Sequence, residues 1–192
     1  MMNRGTCRSR AAGFSLVEMV MTLAIGLILA AITLPTLIGA IQGYRLSSIA
    51  QQAANFIDLA RFTAIRRNSI VSIQKTVQSG NTVFYIDLNG NGTLDANEPL
   101  LMLPSDMQIA NGQSLTPGPV STGLSPIDDF STPVFFDYRG TVSYSGGVAP
   151  KTYFLALGFI NQAQYGCRAV TLTPMGQTKT WKASAGGTWS GM

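Results

Sequence analysis

From Asp87 to Glu98 the sequence reads Asp-Leu-Asn-Gly-Asn-Gly-Thr-Leu-Asp-Ala-Asn-Glu, with an oxygen-bearing side chain at alternate positions through Asp95 and again at Glu98. That spacing matches the calcium loop of the EF-hand. Oxygen ligands would come from Asp87, Asn89, Asn91, the Thr93 carbonyl, Asp95 and a bidentate Glu98, with Gly92 supplying the sharp turn. The flanking residues 82–88 and 99–103 read as strands, not as the paired helices of an EF-hand. The same Asn-Gly and Asp-rich run also favours a hairpin connection with no metal at all. Both readings stay open, and Ca2+ is the only cofactor the sequence suggests.

Other chemistry is largely excluded by what the chain lacks. It has no histidine, hence no usual general base, no commonest zinc ligand and no Ser-His or Cys-His nucleophile pair. The reading is therefore a non-enzyme. Paired acids at Asp128 and Asp129 fit a solvated loop better than catalysis. Of two cysteines, Cys7 lies near the N-terminus and Cys167 reads as a small buried hydrophobe in a strand. Near the C-terminus Lys179 and Lys182 could meet phosphates and Trp181 could stack on a base. The plainer reading of that stretch is an edge strand carrying solubilising lysines.

One more side chain is out of place. Glu18 stands at the head of an apolar stretch, and from Met19 to Ile41 no residue is charged. Such a run can span a hydrocarbon core about 30 Å thick. It is too long for a secretory signal, whose apolar region runs to about 15 residues. A plain anchor would leave Glu18 unexplained, because a carboxylate inside a membrane costs about 2.5–3.5 kcal/mol near its centre. Arg4, Arg8 and Arg10 all precede Gly13. They are a basic segment that holds an N-terminus in the cytoplasm, and without them the chain is close to neutral.

Gly13-Phe14-Ser15-Leu16-Val17-Glu18 resembles the prepilin peptidase site of type IV pilins and type II secretion pseudopilins. The resemblance implies cleavage after Gly13, N-methylation of Phe14 and a signature acid at Glu18. A freed amine at Phe14 and Glu18 of a neighbouring subunit could pair in a low-dielectric filament core and set axial register. Residues 59–73, with Ala60, Arg61, Ala64, Ile65, Arg66 and Arg67, resemble the helix-to-strand junction of GspH/FimT-type minor pilins and pseudopilins. Phe136–Gly140 and Thr173–Gly176 extend the likeness loosely into the C-terminal strands. The family implies a structural subunit of a type IV pilus or type II secretion filament. Its partners would be other pilin or pseudopilin subunits, prepilin peptidase and the bacterial inner membrane, crossed once, with the globular part in the periplasm or on a filament outside the cell. The alternative is a DNA-binding minor pilin supporting DNA uptake. Some FimT-type members carry a Gly-Arg-x-Arg-like element, but the matching stretch here, Gly176 to Lys182, lacks both arginines.

The elements that must position these residues follow from periodicity. Residues 1–13 are the leader, 14–41 the membrane or filament-core helix, and 42–192 a globular head. Leu46, Ile49, Ala53, Phe56, Ile57, Ala60, Ala64 and Ile65 recur at helical spacing, so an amphipathic helix continues over 42–67. Pro35 implies a kink or melted stretch, or else the end of the span. Residues 69–192 are β-rich, with strands expected at 69–75, 82–88, 99–103, 134–138, 152–159, 167–173 and 178–182. Residues 111–131, rich in Gly, Pro, Ser and Thr, read as a long loop. The fold class is α+β: one long N-terminal helix packed on an antiparallel β-sheet.

Overall fold

The computed structural model describes residues 13–109, 127–128, 130, 132–143, 152–160, 162–184 and 189–192. The chain divides into two compact units, Met1–Ile41 and Gln42–Met192. A single α-helix, α1, runs Leu16–Arg67 over 52 residues. Helical assignment continues through Pro35, so the melted stretch expected there is not seen. Thr33 Oγ1 donates to the Leu29 carbonyl (3.0 Å) and Thr36 Oγ1 to the Thr33 carbonyl (2.8 Å). Both accepting carbonyls lie in the turns just before the proline, where such threonine back-bonds compete with the helix ladder. The C-terminus of α1 closes in a Schellman motif. Asn68 adopts φ +50°, Asn68 N–H donates to Ile65 O, and Ser69 N–H to Ala64 O.

Eleven strands are described: β1 Val71–Gln78, β2 Asn81–Asp87, β3 Leu100–Met102, β4 Met107–Ile109, β5 Ile127–Asp128, β6 Val134–Phe136, β7 Val142–Ser143, β8 Thr152–Phe159, β9 Cys167–Leu172, β10 Thr178–Ala183 and β11 Trp189–Gly191. They form two sheets, not one. The first has the order β3-β2-β1-β6-β7 and the second β11-β10-β9-β8-β4. All pairs are antiparallel except β5, which runs parallel to β8. The seven expected strands all appear. The four missed ones, β4, β5, β7 and β11, have two or three residues each, too short for an alternating pattern. Most of the expected loop 111–131 and Asp129 lie outside the described residues, but Ile127–Asp128 is strand. Ser79 and Gly80 both have positive φ. They join Gln78 to Asn81 as a two-residue turn of the type that matches strand twist.

The core of the second unit lies between α1 and the inner faces of both sheets. Ala50, Ala53, Phe56, Ile57, Ala60 and Ala64 meet Val71, Ile73, Phe84, Ile86, Val134 and Phe136 from one sheet and Tyr153, Leu155, Leu157, Val170 and Leu172 from the other. The alanines let the helix backbone come close to the strands. Strand β8 is buried at every position, because its other face packs Phe154 and Ala156 against Ala169 and Trp181. A smaller cluster of Leu46, Met107 and Phe159 closes the end nearest Gln42.

Candidate functional site

Gly13, Phe14 and Ser15 carry no regular structure, and α1 begins at Leu16. A Cβ placed on Gly13 would meet nothing within 4 Å, and Phe14 is 75% exposed. The Gly13–Phe14 peptide bond is thus open to an enzyme. Ser15 O accepts the first helical bond, from Met19 N–H at 3.1 Å. Ser15 and Glu18 also fit the Ser-x-x-Glu pattern of a helix start, a second role for both that is written in their spacing. Glu18 is the acid of the first turn and is exposed, so its charge meets the partial positive charge of the helix N-terminus. Beyond it, residues 19–29 are all exposed although almost all are apolar. The helix is long and apolar enough to cross a membrane, with a mean hydropathy of 2.3 in its most apolar window.

The Asp87–Glu98 loop joins β2 to β3 and is built on buried acids. Asp87, 1% exposed, accepts Gly90 N–H (2.6 Å) and Asn89 N–H (3.2 Å) on Oδ1. Its Oδ2 accepts Gly92 N–H (2.9 Å) and Gln74 Nε2–H (2.8 Å). Glu98 Oε1 accepts Leu88 N–H and Oε2 accepts Asp95 N–H. Asn89 and Asn91 each turn an oxygen to a backbone N–H, of Asn91 and of Thr93. Their amide N–H groups both point at Asp95 Oδ2, at 2.7 and 2.9 Å. The expected calcium ligands Asp87, Asn89, Asn91, Thr93, Asp95 and Glu98 therefore bond to one another and to the loop backbone. Among the described residues no three acidic, histidine or cysteine side chains are grouped to hold a metal ion. The spacing that places oxygens around a cation also places them over successive backbone N–H groups, and these are the bonds the loop makes here. Tyr85 lies beneath, its hydroxyl donating to Gly92 O at 2.8 Å. Burial pushes its phenol pKa up, and the charges of Asp87, Glu98 and Asp95 push it further.

The C-terminal basic stretch falls on β10. Lys179 and Lys182 point outward, and Lys179 Nζ lies 4.3 Å from the centre of the Trp181 ring. Trp181 itself is 7% exposed, and its Nε1–H donates to Thr171 Oγ1 at 3.0 Å. It packs with Phe154, Ala156, Ala169 and Trp189 on the other face of the second sheet from Tyr153, Leu155 and Leu157, so the stacking platform expected for a nucleic-acid base is not presented. Strand alternation puts Trp181 on the same face as Lys179, but it does not say that Phe154 and Trp189 cover the indole there.

Residues 50–176 match the family described as type II transport protein GspH. The chain belongs to the GspH family. Residues 8–34 of this GspH-family protein match the prokaryotic N-terminal methylation motif, and it is a structural subunit of pilin or pseudopilin type. No curated protein matches it. Among solved structures it is similar to the type IV minor pilin FimU of Pseudomonas aeruginosa strain PAO1, at 13% identity over 78% of this chain and 93% of that one, with a TM-score of 0.49.

Within the GspH-family head Arg61 reaches across the fold. Arg61 Nε donates to Gly140 O at 3.0 Å, 79 residues away. Gly140 and Gly176 have φ of +77° and +76°, and a Cβ on Gly176 would strike the Gly140 carbonyl oxygen. The turns 137–140 and 173–176 thus stack on each other beneath Arg61. Asp137 fixes the first turn by accepting Arg139 N–H, Thr141 N–H and Thr141 Oγ1–H, each at 2.9 Å. The two glycine turns were visible in sequence only as loose resemblance, since nothing local says that they touch. Arg66 and Arg67 do sit in the last turn of α1, where cations are favourable.

Proposed function

We propose that the chain is made as a precursor whose residues 1–13 are removed by a prepilin peptidase, leaving Phe14 as an N-methylated terminus. Residues 14–41 then anchor it in the bacterial inner membrane as a single span, with the head, 42–192, on the far side of that membrane from the cytoplasm. From there it joins a type IV pilus or type II secretion filament through contacts between N-terminal helices. The observation that carries this reading is Glu18, exposed in the first turn of a helix whose next 23 residues bear no charge. A lone carboxylate there is unfavourable in lipid. It becomes favourable when a neighbouring subunit brings the Phe14 amine to it.

Two measurements test the reading. Mass spectrometry of the mature protein should give a chain beginning at methylated Phe14, and any other start would contradict the cleavage. Glu18→Ala should leave the protein in the membrane and processed, but reduce its recovery in sheared filaments at least tenfold. Undiminished incorporation of that variant would end the assembly role of Glu18.

A further inference from the structure

Arg168, at the start of β9, is 4% exposed, and among the described residues its charge has no counter-ion. Its Nε donates to Ser47 Oγ at 3.0 Å and its Nη1 to the Cys167 carbonyl at 3.0 Å. Both partners are neutral. Ser47 is itself held, its hydroxyl donating to Gly43 O at 2.9 Å. Among the described residues the one ion pair within 4 Å is Arg45–Asp106, at 2.9 Å, so no carboxylate there neutralises Arg168. A buried guanidinium is normally paired, because removing its hydration without an anion is costly. The remaining nitrogen, Nη2, faces Gly43, where a Cβ would lie 3.9 Å from it. No side chain at Gly43 stands over that nitrogen.

The position narrows the choice of anion. Gly43 follows the last residue of the uncharged run, Ile41, by two positions. Tyr44 beside it is 79% exposed, and tyrosines of this kind sit at membrane interfaces. A cation close to the level at which an apolar span leaves the bilayer meets phosphodiesters, to which a guanidinium N–H donates a charge-assisted hydrogen bond. We infer that Arg168, its Nε and Nη1 held by Ser47 and Cys167 O and its Nη2 facing the bare backbone at Gly43, binds the phosphate of a phospholipid headgroup through Nη2 while the subunit waits in the membrane. The inference rests on the membrane anchoring proposed above. Arg168 would then tie the head to the lipid surface, and the bond would break when the subunit leaves for a filament.

The test uses the full chain in maltoside micelles, which carry no phosphate, with added phosphatidylglycerol and native mass spectrometry to count retained lipid. Wild type should retain lipid, and Arg168→Gln should lower the apparent affinity roughly tenfold. Gly43→Leu is the second variant. Leucine suits a helix better than glycine, and its branches would cover Nη2 while leaving Arg168 in place. It should lose lipid to a similar extent, whereas the surface variant Arg66→Gln should not. Equal retention by all four proteins would overturn the inference. So would displacement of the lipid by millimolar inorganic phosphate, which would identify a free anion as the ligand. Variants that bind lipid normally but fail to enter filaments would overturn it too, and would assign Arg168 to a carboxylate on a neighbouring subunit. Flotation of wild type with vesicles of phosphatidylethanolamine and phosphatidylglycerol separates the two readings. A chain that does not float fails the anchoring itself, whereas one that floats without the lipid preference fails only the role of Arg168.

Discussion

Replacing Asp87 by asparagine should destabilise the head without help or hindrance from calcium. The carboxylate is 1% exposed and accepts four N–H groups, two on each oxygen. Asparagine keeps one acceptor and sets an N–H donor against the other pair. Hydrogen bonds to a charged group contribute about 1.5–3 kcal/mol each, but they share one carboxylate and do not add. Losing one side of the fork therefore costs about 3 kcal/mol. For a chain of this size that lowers the melting midpoint by about 6–12 °C. The midpoint can be followed by the fluorescence of Trp181 and Trp189 in detergent micelles. The same experiment with 1 mM Ca2+ or with a chelator should move the wild-type midpoint by no more than about 1 °C. A ligand present at a hundred times its dissociation constant would add about 2.7 kcal/mol. A calcium-dependent rise of several degrees that Asp87→Asn abolishes would therefore show that the loop gathers a cation, and would refute the reading of a loop closed on its own backbone. An unchanged midpoint for Asp87→Asn would refute the energetic argument itself.

Gly176→Ala should destabilise the head by about 2–4 kcal/mol, since its Cβ would meet the Gly140 carbonyl in a backbone conformation that disfavours alanine; denaturant unfolding checks this. Ala60→Leu should also destabilise, by about 1–3 kcal/mol, because Ala60 is fully buried against the strands and the core has no room for three more carbons. The same melt would report it. For Asp137, burial pushes the carboxyl up, but hydrogen bonds from Thr141 and Arg139 and the Arg139 charge outweigh it and hold its pKa below the ordinary 3.8. Its folded-state pKa is depressed, so its stabilising effect is complete above about pH 4 and fades as pH falls through the lower folded value. Asp137→Asn should flatten that acid-side loss, and a pH series of unfolding midpoints would show an unchanged slope if the reasoning is wrong.

The N-terminal third of this protein was legible because its information is local. Gly13-Phe14 and Glu18 are adjacent in sequence, and an uncharged run of 23 residues means the same thing wherever the chain goes. The same holds for the helical stripe from Leu46 to Ile65 and for the long strands, whose alternation is written into consecutive residues. Tertiary structure decided everything that depends on which distant segments meet. Two sheets formed where one was expected, because pairing partners such as β1 with β6 are not encoded in either strand alone. The oxygens of the Asp87 loop turned to backbone N–H groups, because strand pairing fixed the loop ends and Gln74 came from the neighbouring strand. Trp181 was covered because the register of β10 against β9 set it beside Ala169, with Trp189 packed against the same cluster. Arg61 and Arg168 found their partners 79 and 121 residues away. Charge and size are properties of a residue, and the sequence states them. Burial and partnership are properties of a packed arrangement, and only the fold assigns them.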